Sequence, residues 1–371
     1  VGVSGLVLSA AEASGDALGA EVLRGLAAAG LRPRVRGIAG PRMEASAAET
    51  DIDLHPAGDT RELGAAGLVE LVPALPRILR ARRTLAALLR ARSGPALLID
   101  GPDLHLPIAR RAPRIPGRPI GLLVAPQYWA WRPRRAETLH EAVDFVLCLF
   151  RHEVAHLRRL GVMAHWVGHP AVDHATPPRP HQGAAPDRLV VALLPGSRSA
   201  EVARTLRPAL AGLSSALGDR PRDVVVPWRL RGRPPEIPGV TFTTSGGRDV
   251  LRRAHVAVVA GGTATLEAAL LGVPTVVMAR THPVTAAVAR RALQVPWVGL
   301  PNLVLERAAL AEVVQDLGRA RWAAPLRDAI SDADRGAPGA RAVRDELRSR
   351  LGPPGFAARC AAALSPLLEC A

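Results

Sequence analysis

Short apolar runs alternate along the chain with longer stretches in which apolar residues recur at helical spacing. The short runs predict strands at Leu6–Leu8, Val35–Ile38, Ala96–Ile99, Ile120–Val124 and Phe145–Leu149, with Trp166-Val167 a short last one. Between them lie arginine-studded amphipathic stretches such as Pro76–Arg92, which read as helices. Such alternation implies βαβ units and a mainly parallel sheet. Periodicity lapses over Ala175–Asp187, where proline, glycine and polar residues give a linker composition. It restarts with strands at Leu189–Leu194, Val224–Val226, Val256–Val259 and Thr275–Met278. The expected organisation is two α/β domains with a cleft between them, at residues 1–174 and 188–339, joined by a linker at 175–187. Residues 340–371 read as helices broken at Gly352-Pro353-Pro354-Gly355, after which a terminal helix can pack back on the first domain or on a partner subunit, as in a homodimer.

Strand-to-helix junctions carry the candidate chemistry, because there a strand's carboxyl end and a helix N-terminus converge on one crevice. The first junction is Ala11-Glu12-Ala13-Ser14-Gly15-Asp16. The dinucleotide pattern G-x-G-x-x-G is absent from it, which argues against a nicotinamide or flavin site and for a hydroxyl-rich ligand. Past the strand Ala96–Ile99, the sequence Asp100-Gly101-Pro102-Asp103 turns two carboxylates toward the crevice. A carboxylate there can take a proton from a substrate hydroxyl, although either acid could instead cap the next helix. Pro126-Gln127-Tyr128-Trp129-Ala130-Trp131-Arg132 gathers the only tyrosine and two of the six tryptophans, as a platform for a sugar face or acyl chain or as interface packing. His169, held extended before Pro170, could contact a phosphate or line a hinge.

In the second half, Pro195-Gly196-Ser197-Arg198, with Glu201 opening a helix, suits a phosphate: amides, helix dipole and guanidinium all favour an anion. Gly261-Gly262-Thr263 is a second such turn, where Thr263 can cap the helix and Glu267 can reach ribose hydroxyls. Together these turns point to a nucleotide-diphosphate donor in the second half and a hydroxyl acceptor in the first.

Composition changes this picture in three places. The 371-residue length fits about two domains. The net charge of +15 invites a nucleic-acid partner, but all 48 basic residues other than histidine are arginine and they spread along the whole chain. That distribution reads as compositional bias and solvated surface, favouring phosphate ligands and anionic membrane over nucleic acid. Cys148, Cys360 and Cys370 are too scattered for a zinc site or a disulfide framework, and Cys148 reads as a buried core thiol. No membrane-spanning run or signal peptide is evident, so the expected location is the cytoplasm.

Nine blocks in order resemble lipid-A-disaccharide synthase, an inverting glycosyltransferase family. They are Glu12-Ala13-Ser14-Gly15-Asp16, Ala39-Gly40-Pro41-Arg42-Met43, Ile99-Asp100-Gly101-Pro102-Asp103, Trp129-Ala130-Trp131-Arg132 and Val167-Gly168-His169-Pro170, then Leu194-Pro195-Gly196-Ser197-Arg198, Gly262-Thr263-Ala264-Thr265-Leu266-Glu267, Leu300-Pro301-Asn302, and Glu312 with Gln315. The resemblance implies a GT-B fold of two Rossmann-like domains with C-terminal helices crossing back. It implies transfer of 2,3-diacylglucosamine from UDP to the 6-hydroxyl of 2,3-diacylglucosamine 1-phosphate, without metal or cofactor, at the cytoplasmic face of the inner membrane. Asp100 is then the base, and Arg198 stabilises the leaving diphosphate. Glu12, Ser14, Gly15, Asp16, Asp103, Trp129, Trp131, Arg132 and His169 fall on the acceptor side. Gly196, Ser197, Arg198, Gly262, Thr263, Glu267, Asn302, Glu312 and Gln315 fall on the UDP-sugar side.

The chain departs from the family pattern at Ala11 (Gly), Gly261 (Ser), Asp103-Leu104-His105 (Asp-Phe-Asn) and Arg151-His152-Glu153 (Pro-Phe-Glu). The family's aromatic residues after the strand Thr275–Met278 are missing, with Ala279, Ala286 and Ala287 in that region, which weakens apolar docking on a membrane and leaves arginine to supply part of it electrostatically. The competing readings are a non-catalytic relative that binds UDP or lipid, and another GT-B enzyme such as a UDP-N-acetylglucosamine epimerase or a peptidoglycan glycosyltransferase. Asp100, Arg198 and Glu267 speak against the first. The Glu-Ala-Ser-Gly-Asp and Trp-Ala-Trp-Arg blocks speak against the second.

Overall fold

The computed structural model describes residues 5–63, 68–126, 139–175, 187–228, 230, 232–283, 286 and 296–369. By its internal contacts the chain divides into two units, Val1–Asp173 with Pro353–Ala371, and His174–Gly352. The first unit runs β1 (Gly5–Ala10), α1 (Ala13–Ala28), β2 (Arg34–Ala39), α2 (Pro41–Thr50), β3 (Leu54–Asp59), α3 (Leu68–Ala91), β4 (Ala96–Ile99), α4 (Pro102–Ala109), β5 (Ile120–Leu123), α5 (Leu139–Ala142), β6 (Phe145–Cys148), α6 (Arg151–Arg159) and β7 (Met163–Trp166), with α7 (Pro170–His174) at its end. Among the described residues its strands form one sheet in the order β3-β2-β1-β4-β5-β6-β7, parallel throughout.

Two-residue periodicity divides each strand between two cores. Leu6, Leu8, Leu97 and Ile99 pack with Val22, Leu23 and Leu26 of α1, while Val7, Ala96 and Leu98 pack with Leu85 and Leu89 of α3. Cys148 is wholly buried, and that burial pushes its thiol well above the usual range.

The second unit runs β8 (Leu189–Leu194), α8 (Ser199–Leu217), β9 (Arg222–Pro227), β10 (Val240–Thr243), α9 (Gly247–Leu251), β11 (Val256–Ala260), α10 (Thr263–Leu270), β12 (Thr275–Ala279), α11 (Leu300–Leu305), β13 (Ala311–Val314), α12 (Arg319–Asp334) and α13 (Pro338–Leu351). Its described strands are again all parallel, in the order β10-β9-β8-β11-β12-β13. The buried ring of Trp322 on α12 packs against α8 directly over Gly212, where a Cβ would collide with the indole.

The break at residues 352–355 separates two helices with different allegiances. Helix α13 stays with the second unit, against α10, α11 and α12. The last helix, α14 (Phe356–Glu369), belongs to the first unit and lies along α1. Gly25 makes the approach close, since a Cβ there would run into the Ala357 carbonyl. The Asp173 carboxylate accepts the Gly355 and Phe356 amides at the entry to α14, and Arg359 donates to the Val167 carbonyl at 2.8 Å. Phe356, Cys360, Leu364 and Leu368 complete the α1 side of the core, each large apolar side chain contributing roughly 1.5–3 kcal/mol by leaving water.

The interior strands appear within two residues of their sequence-based positions. Strands β3, β10 and β13 were not anticipated, and β7 begins at Met163 rather than at Trp166. All four are sheet edges. Helix α3 starts eight residues before the predicted Pro76.

Candidate active site

An open parallel sheet offers a ligand crevice where its strand order reverses, at the strands' carboxyl ends. In the first unit the order reverses between β1 and β4. The β1 loop brings Glu12 to the N-cap position of α1 and leaves Ser14 exposed on its first turn. The β4 loop brings Asp100, half-buried, opposite Ser14, whose hydroxyl donates to Oδ2 at 3.3 Å. Asp100 and Gly101 are both left-handed, with φ of +55° and +52°. This double turn lifts the carboxylate away from the sheet, and the Gly101 amide holds Oδ1 at 2.8 Å. Gly101 is required twice over, because a Cβ would also strike that of Ala11. Asp103 is exposed on the first turn of α4, whose N-cap is Gly101, so neither acid takes the N-cap position.

Gly15 packs Ala10 and Ile99 under the loop. Two neighbours assigned to the acceptor have other work. The buried Asp16 carboxylate accepts amides from Gly40 (2.9 Å), Arg42 (3.0 Å) and Met43 (3.1 Å), fastening the start of α2 to α1. It shapes the loop from inside and does not face a ligand. His169 is also buried, accepts the Ala171 amide at 3.1 Å, and is driven by that burial to about 4. With Nδ1 accepting, the neutral ring carries its proton on Nε2, so it brings no charge to a phosphate. Trp129, Trp131 and Arg132 lie outside the described residues.

The second unit reverses its order between β8 and β11. After β8, Gly196 takes φ +115° and Ser197 is exposed just ahead of α8, with Arg198 at the N-cap. Glu201 reaches back so that its carboxylate accepts the Ser197 amide at 3.2 Å. Burial raises its pKa against the opposing pull of the Ser197 amide and the Arg198 charge. After β11, Gly262 is the N-cap of α10 at φ +127°, ψ −162°, a conformation only glycine holds comfortably, and Gly261, Gly262 and Thr263 are exposed. Thr263 does not cap the helix as the sequence suggested, since the N-cap residue is Gly262. The α10 N-terminus therefore presents uncapped amides to an anion. A side chain at Gly261 would have ordinary room, the nearest atom to a Cβ being the Val298 carbonyl at 3.7 Å.

Glu267, one turn into α10, is ion-paired with Arg248 of α9 at 2.8 Å, a partner the sequence reading missed. Its only sequence signal was the glycine pair Gly246-Gly247 starting a helix beside the β11 loop. Asn302 is completely buried: it brackets the Leu310 backbone from both sides and donates to Glu312 Oε1 at 2.8 Å. Glu312 in turn accepts the Val298 and Gly299 amides. This pair fixes the loop into α11. Gln315 follows β13 in a left-handed conformation and accepts the Thr281 amide at 3.4 Å.

Each unit thus carries a specialised turn at the switch point of its own sheet, a raised carboxylate in the first and uncapped helix amides in the second. Among the described residues no cluster of histidine, cysteine and acid side chains could hold a metal ion.

Comparison with known proteins adds sequence relatives and fold relatives. Residues 6–325 match the family model described as lipid-A-disaccharide synthetase. The lipid-A-disaccharide synthase of Myxococcus xanthus is 35% identical over 98% of this chain and 97% of its own length. That of Thiobacillus denitrificans is 35% identical over 98% and 99%. Among solved structures, the glycosyltransferase of kitacinnamycin superposes with a TM-score of 0.60 at 18% identity, over 98% of both chains. The UDP-GlcNAc 2-epimerase of Methanocaldococcus jannaschii reaches 0.61 at 10%, over 98% of this chain and 99% of the other. The superpositions establish the GT-B fold. A transferase and an epimerase fit it equally well, so the fold alone does not choose between them.

Proposed function

The chain belongs to the lipid-A-disaccharide synthase family of glycosyltransferases, and from that premise we propose that it moves 2,3-diacylglucosamine from UDP to the 6-hydroxyl of 2,3-diacylglucosamine 1-phosphate. The observation that carries the proposal is the Asp100 carboxylate, raised on a left-handed turn at the β1/β4 switch point with the Ser14 hydroxyl on it. The acceptor's 6-oxygen attacks the anomeric carbon as its proton passes to Asp100. The bond from that carbon to the diphosphate breaks on the opposite face, inverting the centre, and its electron pair leaves with UDP. Arg198 and the α10 N-terminus meet the growing charge. Glu267 reaches the ribose with the carboxylate oxygen that Arg248 does not hold. Ser14, Glu12 and Asp103 face the acceptor, and Asn302 and Glu312 shape the donor loop from beneath.

The membrane is the second partner in this reading. Helix α3 exposes Leu75 and Leu79 among Arg77, Arg80 and Arg83, an apolar ridge in a cationic surround suited to anionic lipid. No described helix is long and apolar enough to cross a bilayer. Flotation with phosphatidylglycerol vesicles that weakens with salt supports docking, and equal flotation with neutral vesicles counts against it.

The decisive test incubates protein with UDP-2,3-diacylglucosamine and the 1-phosphate acceptor, beside Asp100→Ala. Disaccharide and UDP from the wild type alone support the proposal. UDP release without disaccharide rejects the acceptor, and no turnover with any acyl length rejects the enzyme.

A further inference from the structure

Asp100 occupies an awkward place in the backbone. Its amide makes the last rung of the β4–β5 ladder, to the Leu123 carbonyl at 2.9 Å, and the α4 helix starts by using the Gly101 carbonyl, not its own. The Asp100 carbonyl therefore falls between the strand and the helix. It accepts its hydrogen bond from a side chain, His105 Nδ1, at 2.6 Å. Left-handed backbone is strained for a non-glycine residue, so a group that fastens this carbonyl decides whether the carboxylate stays raised.

His105 is suited to that task. It is wholly buried, and its Nε2 lies 3.3 Å from the Ser9 hydroxyl, itself fully buried on β1. A carbonyl can only accept, so the proton sits on Nδ1 and the bare Nε2 accepts from Ser9. Burial keeps the ring neutral, lowering it to about 4 against a smaller opposing pull from the Asp100 carbonyl. The imidazole thus links β1, where the Ser14 loop begins, to the β4 turn that carries the base. His105 stands where the family pattern has Asn, a residue that also carries an N–H within reach of that carbonyl. The departure from the family pattern at this position therefore bears on the base.

We propose that His105 is the positioning residue for Asp100: its Nδ1–H bond to the Asp100 carbonyl holds the left-handed turn and so aims the carboxylate at the acceptor hydroxyl. The inference rests on the transferase reading for its kinetic arm only. In that arm, His105→Leu keeps the bulk and loses the donor, and kcat falls by about a hundredfold with the KM for the UDP-sugar within about twofold of wild type. His105→Asn keeps a donor toward the carbonyl and recovers kcat to within about fivefold. Ser9→Ala removes only the Nε2 contact and stays within about twofold. A His105→Leu enzyme with wild-type kcat, or Leu and Asn variants equally impaired, overturns the proposal.

The second arm needs no turnover. In protein carrying ¹⁵N-histidine, with the His105 signals assigned by their loss in His105→Asn, the ring shows the Nδ1–H tautomer and does not titrate between about pH 5 and 8. An Nε2–H tautomer, or titration within that range, overturns it. A wild type inactive in transfer counts against the function and leaves this arm to decide the geometry.

Discussion

The two switch-point sites solve the same backbone problem in opposite ways. In the second unit the sharp turns after β8 and β11 fall on Gly196 and Gly262, at φ +115° and +127°. In the first unit the corresponding turn after β4 begins on an aspartate, and a buried histidine holds it. In the proposed reaction the difference follows from what each site presents. A diphosphate is met by backbone amides, so the turn residue needs no side chain and glycine removes the conformational cost. A hydroxyl proton needs a carboxylate at the turn itself, so the cost stays and a hydrogen bond offsets it. A site that works through its main chain is built from glycine, and one that works through a side chain needs an anchor beneath it.

The largest effect that bears on this contrast is expected at the acid. Asp100→Asn keeps the turn and the Ser14 contact but cannot take the proton, and transfer should drop about 10²–10⁴-fold with donor binding retained. Donor affinity falling in parallel, measured by calorimetry with UDP, would erase the division of labour. Arg198→Ala should cost about 10²–10³-fold, since it removes one of several groups facing the leaving charge, and added salt should deepen the loss less than it does in the wild type. The turns can be compared through stability. Gly101→Ala combines left-handed backbone with a clash against Ala11 and should cost roughly 2–4 kcal/mol in urea unfolding. Gly262→Ala meets no neighbouring atom within 4 Å, so it should cost about 1–3 kcal/mol through the backbone alone. Equal losses would show that sterics at Ala11 contribute nothing.

The smallest effect is a pH dependence. Burial raises the Glu201 pKa, so its contribution to stability is full below the ordinary carboxylate range and is lost as pH climbs through the raised value. Glu201→Gln keeps an acceptor for the Ser197 amide without the charge. The melting temperature of the wild type should therefore sink relative to Glu201→Gln as pH rises from about 4 toward neutrality. Parallel curves across that range would remove Glu201 from the titration.

The sequence disclosed the molecule unevenly. Interior strands such as Ala96–Ile99 and Leu189–Leu194 were legible because burial on both faces makes them apolar throughout. The edges were not. Strand β3 contains Pro56 and is largely exposed, which only an edge tolerates, and β13 has only Val313 buried. The junctions at Glu12–Ser14, Asp100–Gly101, Gly196–Arg198 and Gly262–Thr263 could be read because they follow interior strands directly. Sequence spacing could not tell a residue that faces the crevice from one that braces it. Asp16 lies in the same motif as Ser14, and Asn302 and Glu312 in later blocks of the same family pattern, yet their polar atoms bind backbone amides and carbonyls. His105 and Arg248 act across the fold, on Asp100 and Glu267, and no local pattern marks such pairs.

Helix α14 carries a consequence for how the protein is made. The face of α1 that it covers includes Leu23 and Leu26, and Phe356, Cys360 and Leu364 arrive only with the last stretch of the chain. During synthesis the ribosome releases the whole second unit before the first can close its own core. The half that begins before the other closes its core after it, and until α14 is made the apolar face of α1 stays open.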